Sequence, residues 1–245
     1  MRKALLLLVV LAGFLTACEN KYKDPDPVVM GYDYYPLEVG DYRVYDVMDI
    51  RFQFNNGDTT RFQIRERVDT SFHDQTGQLV YKIVRSIRDN TNRPWIDDSV
   101  MVVAKTERMV MLTKDNTKYV KMVFPVMEDG EWVADMFNTN TAAPGVSSKI
   151  RDGKEVYTYQ KVGLPFQLKE LNFDNTVTVI QNSPDIFNTR VDERNEIYAK
   201  GFGLIYRIFN RVVLSPCFPD YCPDGENYKL DGHERHEILI EHGKL

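Results

Sequence analysis

The chain has 245 residues, with 31 lysines and arginines against 36 aspartates and glutamates, for a formal net charge of −5. An acidic balance with no basic tract lacks the electrostatic footprint of a nucleic-acid binder. The same sign argues against adsorption to anionic lipid through charge alone.

The N-terminus opens with Arg2 and Lys3, followed by a small-and-apolar run from Ala4 to Phe14. A charged start, a short apolar stretch and small residues before a cut are the parts of an export signal. The run is shorter than the ~20 residues a helix needs to cross a bilayer. No second long apolar run follows, so the mature domain is not expected to span a membrane. The run ends at Leu15-Thr16-Ala17-Cys18, which resembles the lipobox of bacterial lipoproteins. That resemblance implies cleavage before Cys18, with a diacylglyceryl thioether on its sulfur and an acylated amine. Two or more inserted chains, palmitate among them, make such an anchor stable. Residues 1–17 hold Arg2 and Lys3 and no acid, so the mature 228 residues carry 29 bases against 36 acids and a net charge of −7. Residues 18–30, the lipidated cysteine and a polar, Pro-interrupted stretch, read as a tether. A dozen extended residues reach at most about 40 Å.

A strand signal follows. From Tyr42, every second residue is Tyr42, Val44, Asp46, Met48, Ile50, Phe52 and Phe54, while Asp41, Arg43, Asp49, Arg51 and Gln53 fall on the other side. This two-residue period predicts a strand buried on its Tyr42–Phe54 face. Asn56-Gly57 offers a hairpin turn. The partner strand carries Phe62, Ile64 and Val68 on one face and Arg61, Gln63, Arg65 and Arg67 on the other. Further strands are predicted near 79–88, 99–105, 108–114, 117–124, 155–163, 175–182, 196–200, 204–214 and 235–242. Asp129-Gly130, Asp152-Gly153, Asp224-Gly225 and Asp231-Gly232 punctuate them as turns. Short helices fit only near 134–142 or 183–188, and 137–149 reads as a long loop. Many short strands with regular turn signals predict an all-β antiparallel fold with minor helix, in one β-rich domain over residues 31–245.

Three stretches carry a wider resemblance. Tyr35-Pro-Leu-Glu-Val-Gly-Asp-Tyr-Arg-Val-Tyr45, Phe124-Pro-Val-Met-Glu-Asp-Gly-Glu-Trp132 and Tyr198-Ala-Lys-Gly-Phe-Gly-Leu-Ile-Tyr206 resemble segments of outer-membrane lipoproteins of Bacteroidota-type bacteria. That group has no established activity, so no functional residue is carried over. The resemblance implies an antiparallel sheet curved into a half-barrel or packed as a sandwich. It places the chain in the bacterial cell envelope, anchored to the outer membrane on its periplasmic or surface face.

Candidate chemistry is sparse. Gly201 and Gly203 flank Phe202 and read as a bulge or close backbone approach. They are no nucleotide loop, since the third glycine and the helix are missing. His233 and His236, in Asp231-Gly-His-Glu-Arg-His-Glu237, lack the four-residue spacing of helical zinc proteases. On a strand they point to opposite faces. Trp95 and Trp132 read as core or rim anchors, and the tyrosines at 32, 34, 35, 42 and 45 as strand formers. No catalytic residue, metal or cofactor is expected. The function read here is a non-enzymatic envelope lipoprotein with a binding or structural role, holding a hydrophobic ligand on the concave sheet. The alternatives are a tethered subunit of an envelope assembly and a metal-dependent hydrolase at His233 and His236. Cys217 and Cys222 stand five apart in a proline-rich loop, and export to an oxidising compartment pairs them as a disulfide. Both thiols are therefore expected to resist alkylation in the denatured, exported protein until a reductant is added. Labelling without reductant removes the bridge.

Overall fold

The computed structural model describes residues 26–139, 150–182, 190–215 and 228–245. Cys18, Cys217, Cys222, Asp224-Gly225 and the helix considered at 183–188 lie outside these residues. Within them the chain enters through one helical turn, Pro27–Met30, capped by Asp26, whose carboxylate accepts from the Val28 amide. Thus the end of the stretch read as tether is folded. Met30 packs against the core.

Thirteen strands follow among the described residues: β1 (Asp41–Gln53), β2 (Asn56–His73), β3 (Leu79–Arg88), β4 (Ile96–Lys105), β5 (Met109–Lys114), β6 (Thr117–Val123), β7 (Glu131–Val133), β8 (Ile150–Arg151), β9 (Lys154–Leu168), β10 (Leu171–Asn182), β11 (Arg190–Ala199), β12 (Gly203–Leu214) and β13 (Lys229–Lys244). They form one antiparallel sheet in the order β6-β5-β4-β3-β2-β1-β13-β12-β11-β10-β9-β7, with β8 beside β9. The sheet is nearly closed into a barrel. Its edges meet where the Val120 amide donates to the Ala134 carbonyl at 2.7 Å and the Trp132 indole donates to the Val120 carbonyl at 2.8 Å. Residues 124–130 carry the chain from one edge to the other. Glu128 there accepts from the amides of Lys161 and Val162. Tyr45, Val47, Ile64, Val103, Met122, Trp132, Tyr159 and Val179 belong to the single core this curvature encloses.

The strands fall where the alternation places them, but the inner face of β1 is the opposite of the one expected. Tyr45, Val47 and Asp49 are buried, whereas in the Tyr42–Phe54 row only Val44 is. Pairing with β2 sets this register: Arg43 opposes Glu66, Tyr45 opposes Ile64 and Val47 opposes Phe62. The outer apolar row is covered instead by cationic side chains. Arg61 donates to the Met48 sulfur at 3.2 Å, and the Lys229 ammonium lies 3.8 Å from the Phe52 ring centroid.

Two turns also move. The β1–β2 turn is at Phe54 and Asn55, both with positive φ, while Asn56 and Gly57 begin β2. The amides of Phe54 and Asn55 donate to Leu230 and Lys229 carbonyls, which holds the turn there. Asp231-Gly232 lies inside β13, and residues 134–137 form a turn rather than a helix. Gly232 has φ 152°, and a Cβ there would sit 2.5 Å from the Arg211 carbonyl oxygen. Only glycine fits so close an approach of β13 to β12. Gly232→Ala is expected to cost about 2 kcal/mol or more, read as a lowered urea midpoint. Gly77→Ala, where a Cβ meets nothing within 4 Å, should cost only about 1 kcal/mol for its positive φ.

Candidate functional site

Side chains two apart on neighbouring strands stack in rows across the concave face. One row runs Glu196, Arg207, Glu237 and Val47 over β11, β12, β13 and β1. The next runs Arg194, Phe209, Arg235 and Asp49, and a third Asp192, Arg211, His233 and Arg51. The charges in these rows are paired. Arg207 Nε lies 2.8 Å from Glu196 Oε1, and its Nη1 lies 2.7 Å from Glu237 Oε2. Arg235 bridges Glu237 at 3.0 Å and Asp49 at 3.6 Å. Arg194 holds Asp192 at 2.8 Å and Glu155 at 3.0 Å.

The first row borders a cavity of about 190 Å³ inside the sheet. Its charged lining comes from Arg43, Glu66, Arg85, Lys114, Lys121, Glu196 and Arg207, supplied by seven different strands. Tyr35, Tyr45, Tyr198, Ile83, Met101, Leu112 and Leu204 complete most of the wall. Lys121 of β6 reaches across the interior to Glu196 of β11 at 2.7 Å. Arg85 pairs with Glu66 at 2.6 Å. The Tyr198 hydroxyl donates to Glu196 Oε2 at 2.7 Å, and that of Tyr45 to the Leu204 carbonyl at 3.1 Å. Arg43 donates to the main-chain carbonyls of Phe202 and Pro36. A Cβ on Gly203 would come within 2.9 Å of its guanidinium. The close approach expected at Gly201-Phe-Gly203 is therefore the seat of Arg43. Two of the three resembling stretches, ending at Tyr45 and beginning at Tyr198, meet at this cavity.

The electrostatics follow from burial and pairing. Burial acts to raise Glu196, but the charges of Lys121 and Arg207 outweigh it and hold its pKa at about 2. Glu66 is lowered by the same contest, with Arg85, Arg207 and Arg43 opposing burial. Burial pushes Lys121 down against the pull of Glu196. Burial also drives the hydroxyls of Tyr35, Tyr45 and Tyr198 upward. At neutral pH the two lining carboxylates are ionised and engaged, which leaves neither as a ready proton donor.

His233 and His236 do not converge. His233 Nε2 meets Asp49 at 2.9 Å on the inner face, while His236 bridges the Tyr206 hydroxyl and Glu234, each at 2.8 Å, on the other. Strand alternation separates them, and this removes the hydrolase reading at that pair. Among the described residues no group of three His, Cys, Asp or Glu could hold a metal ion. Trp132 is a core residue, and Trp95, half-buried on the outside, lies against the guanidiniums of Arg65 and Arg88. Of the tyrosines read as strand formers only Tyr42 and Tyr45 lie in a strand; Tyr32 and Tyr34 belong to a 3-10 turn, and Tyr35 follows it and lines the cavity. Sequence reasoning missed that the charged cavity residues converge. The charges at alternate positions in Asp192-Arg194-Glu196 and His233-Arg235-Glu237 are a local signal of the paired rows, and of these residues only Glu196 reaches the cavity.

No protein-family model matches the chain, and no curated protein matches it. Two crystal structures are similar. One, described as an exported protein with a YmcC-like fold from Bacteroides fragilis, is 11% identical with a TM-score of 0.35. The other, described as a lipoprotein from Parabacteroides distasonis, is 11% identical with a TM-score of 0.39. Each comparison covers 86% of this chain and 98% of the other. Neither description states an activity.

Glu196 has its pKa lowered from 4.5 to about 2. Its stabilisation is present above the unfolded value and lost as pH falls from about 4.5 towards 2. At neutral pH it is on the order of 3 kcal/mol. Glu196→Gln is expected to destabilise the fold by about that much at pH 7 and to flatten the acid limb of the stability curve. Urea unfolding across pH 2–7 checks both, and an unchanged acid limb would show that Glu196 is not the group titrating there.

Proposed function

We propose that the chain is a lipid-anchored binding protein of the bacterial cell envelope and not an enzyme. Its anchor is Cys18, its address the export signal of residues 1–17, and its working part the β-rich domain. The observation that carries the binding role is the interior cavity, whose polar groups are fixed by ion pairs and main-chain contacts before any ligand arrives. Fixed polar groups in a concave, partly apolar wall are the marks of a small-molecule site. The wall modifies the hydrophobic ligand expected from the strand pattern and the resemblance. A charged lining of about 190 Å³ suits a small polar-headed molecule better than an acyl chain. A negative net charge supports a reading without nucleic-acid partners. A tethered subunit of an envelope assembly is the competing reading.

Native mass spectrometry of the exported, mature lipidated chain in a neutral detergent separates the two. A small mass released on denaturation is expected. A second polypeptide in place of it would favour the assembly, and a bare mass would overturn tight binding. In parallel, Cys18→Ala is expected to lose palmitate labelling and to leave the membrane fraction. Labelling that persists would place the lipid elsewhere.

A further inference from the structure

The cavity wall is unevenly charged. Five cationic side chains line it, Arg43, Arg85, Lys114, Lys121 and Arg207, against two carboxylates, Glu66 and Glu196. Glu237 sits behind Arg207 and answers one of the excess charges. It is shared with Arg235. Burying unmatched positive charge is expensive unless a counter-charge is supplied. Two cations are also under-used. Arg43 spends its bonds on main-chain carbonyls rather than on a carboxylate. Arg85 is nine-tenths buried, holds Glu66 through one terminal nitrogen, and has an Nε–H with no partner. Lys114, one third exposed and 4.0 Å from the exposed Asp115 carboxylate, brings the lining to solvent.

Resting on the binding role proposed above, we infer that this cavity takes a small organic anion with one carboxylate head and a compact apolar body. Arg43, which no carboxylate of the wall bonds, and Lys114 at the mouth supply the positive charge a carboxylate head needs. Ile83, Met101 and Leu112 offer apolar wall to the rest of the molecule. Glu66 and Glu196 repel a multiply charged head such as phosphate. A cavity of about 190 Å³ is small for a fatty acyl chain, so the ligand inferred here is a molecule other than the lipid expected on Cys18.

The test uses the mature lipidated chain in a non-ionic detergent at fixed ionic strength. Its melting temperature is followed as sodium butyrate or benzoate is added, with 1-butanol, benzyl alcohol and inorganic phosphate as comparisons. A ligand specific to the folded state raises the melting temperature in a saturable way. The carboxylates are expected to do so and the alcohols and phosphate are not. Lys114→Glu, chosen at the exposed mouth so that the fold survives, is expected to weaken the carboxylate at least tenfold with an unchanged near-UV spectrum. No saturable response to either carboxylate overturns the inference. An equal response to the alcohols reduces the cavity to an apolar one, and an equal response to phosphate reduces the effect to general anion screening. If native mass spectrometry releases a neutral ligand, the binding role stands and only the carboxylate class falls.

Discussion

A lysine and a glutamate from opposite sides of the sheet organise this molecule. Lys121 belongs to the edge strand β6, and Glu196 to β11 in the other half, yet they meet at 2.7 Å. That contact requires the sheet to curl until its two halves face one another. Once it has curled, Glu196 needs further donors to remain charged away from water. Arg207 and Tyr198 supply them. Arg207 then needs Glu237, and Glu237 in turn holds Arg235. The rows across β11, β12 and β13 thus grow from one buried carboxylate, with each new charge calling for the next. Hydrophobic burial drives the collapse, but it is non-directional. The paired charges specify which residues stand opposite which.

Much of the architecture was legible in the sequence because a strand's period is local. The predicted run 79–88 coincides with β3, and Phe62, Ile64 and Val68 share the inner face of β2 as their spacing demands. The face of β1 was misread for an equally physical reason. Alternation reveals two faces, and the assumption that the apolar one is buried selects between them. Here the inside of the sheet carries Arg43 and Asp49, while Met48 and Phe52 shelter beneath Arg61 and Lys229 outside. Where charge is buried in pairs, the polar row imitates a wet surface.

The site was less legible than the fold. Arg43, Glu66, Arg85, Lys121, Glu196 and Arg207 are spread over more than 160 positions and converge only through the strand order. No spacing rule links them. What the sequence did show was a seat without its occupant. Gly203 was readable as a close approach, but only the structure identifies Arg43 as the group that approaches. The histidine pair was the reverse case, since strand alternation alone was enough to separate His233 from His236.

The two tryptophans give the molecule an optical consequence. Trp132 sits at the seam where the edges of the sheet meet, dry and bonded to the Val120 carbonyl. Trp95 lies on the outer surface against two guanidiniums. An indole in an apolar setting emits at shorter wavelength than one that touches water, and quenchers dissolved in the medium reach only the latter. The intrinsic fluorescence of this chain therefore divides into an inner and an outer signal. The inner one is positioned to follow any parting of the seam in real time, with no added dye.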